Sequence, residues 1–305
     1  MTWSATLALA GAGGEPVDLW RTLMSHGVAD LPPNRIDEEA RTLETTVAVP
    51  RGRPQTVIVR EERDGKAALS GTAGKRSKAV LDGMRHILRL DEDLSEFYAL
   101  AADDPDLQWV QQGAGRLIRS QTVYEDVVKT ICTTNTAWSG TVRMVSAIVE
   151  HLGEPAAGAP ADSPFGRAFP SPAAMAAAPE SFYRDVARSG YRGAYLRSLA
   201  QSVASGKIDL EELATADPDD LSDDEVAARL LALPGVGPYA AAHIMMLIGR
   251  YSRLVLDSWT RPTYASLNGR KAKDTAIERR FRRYGRYSGL AFWLFLTRDW
   301  VAEPV

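Results

Sequence analysis

Two glycines and one acid in the last third of the chain are spaced for chemistry on a phosphodiester backbone. The motif Leu-Pro-Gly-Val-Gly at 233–237 separates two helical runs, and Asp257 ends a short apolar segment. Glycine lets a second backbone approach closely, and the N–H groups that open the next helix suit a phosphate. We therefore predict phosphate binding at Gly235, Val236 and Gly237, where both glycines adopt conformations that a Cβ would forbid. A carboxylate at 257 would then lie beside the sugar.

The elements that must position these residues indicate an α+β protein, with a sheet first and helices after it. β-branched residues and turn residues predict an antiparallel meander. Its strands fall at 42–49, 56–60 and 67–71. Residues 18–23 suit either a strand or a short helix. We divide the chain into a β-rich domain at 1–85 and a helical region at 86–305, whose hairpin unit spans 225–262.

Apolar periodicity subdivides the helical region. Spacing near 3.6 residues predicts two helices within 122–152, separated by a break at 133–140. The same criterion predicts a helix at 87–98 and a last core helix at 291–300. The acids from Asp223 onward are typical of a helix start, so they initiate the helix that precedes the hairpin.

These motifs resemble those of the helix-hairpin-helix DNA glycosylase superfamily, nearest its 3-methyladenine and 8-oxoguanine branches. The similarity rests on the hairpin, the alanine-rich helix after it, and the acid at 257. It extends over most of 87–300 through Phe-Pro-Ser-Pro at 169–172 and Gly-Tyr-Arg-Gly-Ala-Tyr at 190–195. The resemblance implies a small N-terminal antiparallel sheet domain, followed by a mostly helical two-part fold with the active site in the cleft between the two parts.

The activity that the resemblance implies is hydrolysis of the N-glycosidic bond of a flipped base. Asp257 would stabilise positive charge on the sugar and orient or deprotonate water. Considered without the hairpin, Asp257 would instead be the N-cap of the helix beginning near Ser258. Arg261, in the basic segment that follows, is assigned with the hairpin to phosphate binding.

Position 239 bears on the reaction class. Bifunctional relatives carry a lysine two residues after the second hairpin glycine, where it forms a Schiff base with the sugar. Here the residue is Tyr239, and no lysine lies between Lys207 and Lys271. We therefore expect base excision without lyase chemistry. Alkylpurine glycosylases carry an aromatic residue at this position, so Tyr239 is expected to stack on an electron-poor base, and its backbone to contact phosphate. His243, one turn later, is either an acid or phosphate contact or a satisfied histidine in a helix interface.

The resemblance assigns three more residues to the substrate: Asn135, Trp138 and Tyr191. The break at 133–140 corresponds to the segment that fills the gap left by a flipped base. Asn135 matches the asparagine of 8-oxoguanine glycosylases there, and Trp138 is a second candidate wedge. The alternatives are an N-cap for Asn135, a core or capping aromatic for Trp138, and burial in a helix interface for Tyr191. The Gly-Gln-x-Phe-Arg-Trp loop of the relatives is absent, so base contacts from that loop are not expected.

Composition sets the remaining limits. The 305 residues carry a net charge of −3, with nine acids and no base at 209–225, and eleven bases and three acids at 250–286. We interpret the basic segment as a phosphate-contacting surface, the alternative being a solvated face. The single cysteine, Cys132, excludes an internal disulfide and a four-cysteine iron–sulfur cluster. No apolar run reaches membrane-spanning length.

The sequence therefore predicts a monofunctional DNA glycosylase of base excision repair, with alkylated purine as its favoured substrate. Its partner would be double-stranded DNA holding a damaged base. We expect a monomer in the cytoplasm or nucleoid, without membrane contact, a required cofactor or a metal. A monovalent cation at the hairpin carbonyls is implied by the resemblance. The alternatives are an 8-oxoguanine-type glycosylase and an inactive DNA-binding protein, in which the pocket facing Asp257 would be filled rather than open and aromatic.

Overall fold

One antiparallel sheet occupies the N-terminal part of the computed structural model, which describes residues 2–71 and 77–301. The strands are β1 (Trp3–Ala8), β2 (Arg35–Asp37), β3 (Thr42–Val47), β4 (Gln55–Glu62) and β5 (Lys66–Gly71). Their order in the sheet is β1-β5-β4-β3-β2. The predicted meander is confirmed as β3-β4-β5, with β2 and β1 added at its two edges.

Helices dominate the rest of the described chain, so the predicted α+β class is confirmed. The helices are α1 (Leu19–Leu23), α2 (Lys78–Ile87), α3 (Ser95–Ala101), α4 (Val123–Thr133), α5 (Trp138–Leu152), α6 (Pro172–Ala177), α7 (Arg192–Ala204), α8 (Glu212–Thr215), α9 (Asp223–Leu231), α10 (Pro238–Leu247), α11 (Thr260–Leu267), α12 (Asp274–Phe281) and α13 (Ser288–Thr297). The ambiguous segment at 18–23 is helical. The two helices within 122–152 and the start of α9 at Asp223 agree with prediction. The domain division at residue 85 stays a prediction.

Apolar side chains form three cores. One lies between the sheet, α1 and α2. A second joins α4, α5, α7 and α9, and a third joins α3, α11, α12 and α13. Helix α10 belongs to both helical cores, because Ala241 and Ile244 pack in the second whereas Ala242 and Met246 pack in the third. The hairpin that precedes α10 therefore lies at the junction of the two helical parts.

The helix predicted at 87–98 is wrong. Helix α2 ends at Ile87, and the chain turns at Arg89, whose φ is +54°. The turn buries the Arg89 guanidinium, which donates to the carbonyls of Leu117 (2.7 Å) and Leu247 and to the hydroxyl of Tyr251 (3.2 Å). Since the last two partners lie 158 and 162 residues further along the chain, apolar periodicity could not reveal this turn.

Substitution Arg89→Met is expected to lower the free energy of unfolding by about 3 kcal/mol, because it leaves the buried carbonyls of Leu117 and Leu247 without their donor. Urea denaturation measures the change. Arg85→Met is the matched control, since Arg85 lies exposed on α2, the helix that ends just before Arg89, and should shift the stability by less than about 0.5 kcal/mol. Equal effects of the two substitutions would contradict the role given to Arg89.

Candidate active site

A cavity of about 620 Å³ lies between the α4–α5 turn, α7, the hairpin and the start of α11. Six residues predicted from the sequence line it: Asn135, Tyr191, Gly235, Gly237, Tyr239 and Asp257. Val236, Trp138 and Arg261 do not line it. The structure thus brings together residues that are up to 122 positions apart in the chain, with Asp257 as the one charged lining residue.

The two hairpin glycines differ in their conformational requirement. Gly235 has φ +84°, and a Cβ there would lie 2.8 Å from Cδ2 of Tyr195. Gly237 is extended, with φ −99° and ψ −177°, and a Cβ there would meet nothing within 4 Å. The prediction that both glycines adopt forbidden conformations is therefore wrong for Gly237. Its missing side chain instead leaves space beside the first turn of α10.

The start of α10 offers backbone donors to this space. Pro238 takes the first helical position, and the N–H groups of Tyr239 and Ala240 precede the first intrahelical hydrogen bond, which runs from Ala241 to the Gly237 carbonyl (2.9 Å). The N–H of Val236 is already bonded to the Leu233 carbonyl (3.2 Å), and the Val236 side chain is buried. Val236 therefore supports the hairpin through its buried side chain, and its N–H group is not available to a ligand.

Asp257 is fixed by the start of α11. Its Oδ1 accepts from the N–H groups of Trp259 (2.8 Å) and Thr260 (2.7 Å), and its own N–H donates to the Thr260 hydroxyl (2.8 Å). The N-cap alternative for Asp257 is wrong, because α11 begins at Thr260 with Trp259 as its N-cap residue. The Asp257 carboxylate instead closes a side-chain turn just before the helix. This turn is compatible with the position of Asp257 in the cavity wall, because its hydrogen bonds engage a single carboxylate oxygen.

Tyr239 forms another part of the cavity wall. Burial raises the pKa of its phenol, while a hydrogen bond with Thr133 opposes that shift and the charge of Asp257 adds to it. The ring is therefore neutral at physiological pH. Its centroid lies 5.8 Å from that of His243.

The α4–α5 turn supplies the opposite rim. Asn135, at φ +46°, donates from Nδ2 to the Tyr191 hydroxyl (3.3 Å). The N-cap alternative for Asn135 is wrong, because α5 begins at Trp138 after Ala137. Tyr191 is 54% exposed, so its predicted burial in a helix interface is also wrong.

Sequence reasoning missed Tyr195 as a lining residue. It follows Tyr191 by four positions, a spacing that puts both rings on one helix face, and their centroids are 5.9 Å apart. Arg192 holds this helix against the turn, since it donates to the carbonyl of Thr134 and to the hydroxyl of the same residue (3.3 Å). The i, i+4 tyrosine pair was the signal that could have found Tyr195.

Trp138 lies outside the cavity, at the first position of α5 with 49% of its surface exposed. Its alternative as a core aromatic is wrong. Its role as a wedge stays a prediction.

The basic segment is largely neutralised within the protein. Six of its eleven bases form ion pairs, namely Arg250–Asp223, Arg253–Asp224, Arg261–Asp274, Arg280–Asp106, Arg283–Asp104 and Arg286–Glu96. Arg261, predicted to bind phosphate, makes two 2.9 Å hydrogen bonds to Asp274. The phosphate contact of Arg261 therefore stays a prediction. To bind a phosphate, the guanidinium would have to share its N–H donors with Asp274 or release that carboxylate.

His243 is buried behind Tyr239, and neither ring nitrogen has a hydrogen-bond partner among the described residues. It is therefore not the satisfied histidine that one alternative proposed. Burial lowers its pKa to about 4, although the charge of Asp257 opposes the shift. His26, whose ring lies 6.3 Å away, has its pKa lowered to about 3, mainly by burial. Both imidazoles are neutral at pH 7, so His243 holds no extra proton to donate.

Within residues 2–71 and 77–301, no group of three or more His, Cys, Asp or Glu side chains is placed to hold a metal ion. None of the helices in those ranges is long and apolar enough to cross a membrane.

Comparison with solved structures identifies the architecture. MBOgg1 bound to a low-affinity DNA ligand superposes with a TM-score of 0.74 at 20% identity, covering 97% of this chain and 96% of that one. The 3-methyladenine DNA glycosylase of Archaeoglobus fulgidus gives 0.72 at 19% identity over 98% and 100%. The apo 8-oxoguanine glycosylase/lyase of Clostridium acetobutylicum gives 0.73 at 20% identity over 96% and 95%. The chain has the helix-hairpin-helix DNA glycosylase fold. No protein-family model matches it, and no curated protein matches it.

Within this glycosylase fold, Gly235→Ala is expected to lower the free energy of unfolding by about 1–3 kcal/mol, because the residue has a positive φ and its Cβ would collide with Tyr195. Gly237→Ala is the matched control, and its stability should stay within about 0.5 kcal/mol of wild type. Thermal or urea unfolding compares the two. A destabilised Gly237→Ala protein beside an unaffected Gly235→Ala protein would reverse our interpretation of the hairpin.

The buried histidine makes stability depend on pH. The folded pKa of His243, about 4, lies below the ordinary histidine value of 6.5, so the unfolded chain binds more protons between these values. The contribution of neutral His243 to the free energy of unfolding is therefore fully present above pH 6.5. On the order of 3 kcal/mol of it is lost as the pH drops to 4. His243→Phe should reduce, without abolishing, the loss of melting temperature across that window, because the buried His26 still makes stability fall there. His151→Gln, at an exposed histidine, should keep the wild-type profile, and an unchanged profile in His243→Phe would refute the assignment.

Proposed function

We propose that this protein is a monofunctional DNA glycosylase that hydrolyses the N-glycosidic bond of a flipped damaged base, with alkylated purine as the favoured substrate. The observation that carries the proposal is the convergence of Gly237, Tyr239 and Asp257 on one cavity. These residues supply a backbone surface for phosphate, an aromatic face for a base and a carboxylate for the sugar. The fold shared with DNA glycosylases supports the proposal.

The hairpin would hold the strand that carries the damaged nucleotide. The free N–H groups of Tyr239 and Ala240 point from a helix N-terminus, which attracts a phosphate both by hydrogen bonding and through the helix dipole. Gly237 presents no side chain to block that approach. The hairpin carbonyls of Pro234, Gly235 and Val236 accept no backbone hydrogen bond from the described residues, so they fit the monovalent cation expected there. No cofactor is required by the proposed reaction.

Asp257 would act on the sugar once the nucleotide has left the stack. Breaking the glycosidic bond places positive charge on the sugar ring, and Asp257 is the one charged group lining the cavity. Its hydrogen bonds at Oδ1 fix the carboxylate before the charge develops, so little reorganisation opposes the reaction. The second oxygen can orient water or accept its proton.

The lining favours a base that leaves without an added proton. Among the residues that the structure describes, no lysine, histidine or second acid lines the cavity, and His243 behind it is neutral. A cationic alkylated purine needs no protonation to depart, and the electron-rich ring of Tyr239 attracts it. The same absence of a lining lysine supports hydrolysis without a Schiff base.

An 8-oxoguanine-type glycosylase is the second candidate. It is favoured by one observation, the placement of Asn135 on the cavity rim in contact with Tyr191. The inactive DNA-binding alternative is disfavoured, because the space facing Asp257 is a cavity bordered by exposed tyrosines.

Asp257→Asn should reduce base release by on the order of 10²–10³-fold while leaving the fold and DNA binding near normal, because an amide oxygen can still accept from Trp259 and Thr260. Mass spectrometry of DNA holding 3-methyladenine, 7-methylguanine, hypoxanthine, 8-oxoguanine or uracil measures both the release and its specificity. Asp220→Asn, in the exposed acidic segment, is the control. Unaltered release by Asp257→Asn would remove the carboxylate from the mechanism, and strand cleavage with a borohydride-trapped adduct would refute the monofunctional class.

A further inference from the structure

The two edges of the N-terminal sheet differ in how well they are protected from other chains. Edge strand β2 is short, with the three residues Arg35–Asp37, and both of its ends are charged. The N–H of Ile36 is already occupied, because it donates to Oδ1 of Asp30 (2.6 Å). Short length, charge and occupied donors all prevent an edge strand from pairing with another chain.

Edge strand β1 has none of these protections. It has six residues, Trp3–Ala8, and its sequence Trp-Ser-Ala-Thr-Leu-Ala contains no charge and no proline. The side chains of Trp3 and Ala5 pack against the core beneath the sheet. Those of Ser4 and Thr6 are exposed. A run of six uncharged residues at an open edge favours pairing with a further strand.

The hydrogen bonds of β1 show which of its backbone groups are free. The register with β5 continues to Leu9, whose N–H donates to the Gly65 carbonyl (2.8 Å). Because alternate residues of an antiparallel strand turn their N–H and C=O groups to the same side, the groups of the odd-numbered residues face β5. Those of Ser4, Thr6 and Ala8 therefore face the outer edge. Apart from the strand ladder, no backbone hydrogen bond among the described residues engages these three.

Space for a neighbouring chain lies beside this strand. A surface depression of about 820 Å³ borders it, and Ser4 and Thr6 line this depression together with Ala68 and Ser70 of β5. All four side chains are small. A strand added at the outer edge of β1 therefore meets no bulky side chain from these four residues.

A second copy of this chain fits the edge by symmetry. When a strand pairs antiparallel with its own copy, a two-fold axis passes through the centre of the pairing. The register centred on Thr6 uses the free groups of all three outward-facing residues, since Thr6 opposes Thr6 and Ser4 opposes Ala8. These pairs exchange about six hydrogen bonds. The uncharged strand brings no like charges together, and a Thr–Thr pair across two strands is favourable.

We propose that the outer edge of β1 is a self-association surface, at which two copies of this chain join their five-stranded sheets into one continuous antiparallel sheet. A dimer of this kind replaces the monomer that the sequence suggests, because a free strand edge is a property of the folded sheet. No residue of β1 lines the hairpin cavity, so the surface does not depend on the proposed glycosylase activity. One strand pair buries less area than a permanent dimer needs, so the association is weak and depends on concentration.

Sedimentation equilibrium of tag-free protein tests the proposal, over concentrations from about 1 to about 200 µM. The wild-type protein should pass from the mass of one chain to that of two, with a dissociation constant on the order of 10–100 µM. Thr6→Pro should weaken association at least about tenfold, because proline removes the outward N–H while the hydrogen bonds to β5 come from other residues. Thr6→Val is the matched control, since it keeps the N–H and should stay within about threefold of wild type.

A pair of charge variants tests the register itself. Thr6→Lys and Thr6→Glu each place like charges opposite one another at the two-fold axis, so each protein alone should stay monomeric over the same concentrations. In a mixed dimer the two opposite charges face each other, so an equimolar mixture should recover association. A mixture that stays monomeric would overturn the pairing.

Two further outcomes would overturn the self-association surface: a wild-type protein that stays monomeric over the whole range, and a Thr6→Pro protein that dimerises like wild type. If Thr6→Pro unfolds, as its melting temperature would show, Thr6→Lys and Thr6→Glu decide. Failure of the proposed function gives a different pattern, because a wild-type protein that dimerises but releases no base would refute the glycosylase proposal alone. Base release at the wild-type rate by a chain that never dimerises would refute the self-association surface alone.

Discussion

Burial of α10 on all sides is the constraint on which the rest of the structure depends. Every residue from 240 to 247 is buried, and the helix contributes to both helical cores, so it cannot shift without disturbing either one. The fixed position of α10 therefore holds the hairpin, which lies at the N-terminal end of this helix, in place relative to the start of α11. Arg89 anchors the opposite end through the Leu247 carbonyl. Under the proposed function, such a rigid support would keep the phosphate and the sugar aligned with Asp257.

The parts of this arrangement that depend on local chemistry could be predicted from the sequence. The hairpin needs a glycine at 235 for its positive φ, and Asp257 follows at a spacing that a helix and a short loop determine. Strands β3 to β5 and helices α4, α5, α9, α10 and α13 follow from periodicity and turn residues. The two-part helical fold is implied by the resemblance that the hairpin, the alanine-rich helix and Asp257 carry.

What the sequence could not reveal depends on contacts between distant segments. The turn at Arg89 exists because carbonyls far along the chain accept its guanidinium. The i, i+4 spacing of Tyr191 and Tyr195 places their rings on one helix face, but that this face borders the cavity depends on how α7 docks against the α4–α5 turn. Likewise, the rings of Trp259, Trp293 and Trp300 are in contact although they come from two separate helical segments. Exposure of an aromatic ring is a tertiary property, and composition alone favours burial.

The internal ion pairs of the basic segment have a consequence for how a polyanion would be held. Six of the eleven bases already have carboxylate partners, so fewer counterions would be displaced when DNA approaches this face than the sequence suggests. Under the proposed function, the affinity for DNA would then vary less with ionic strength than eleven unpaired bases would make it vary.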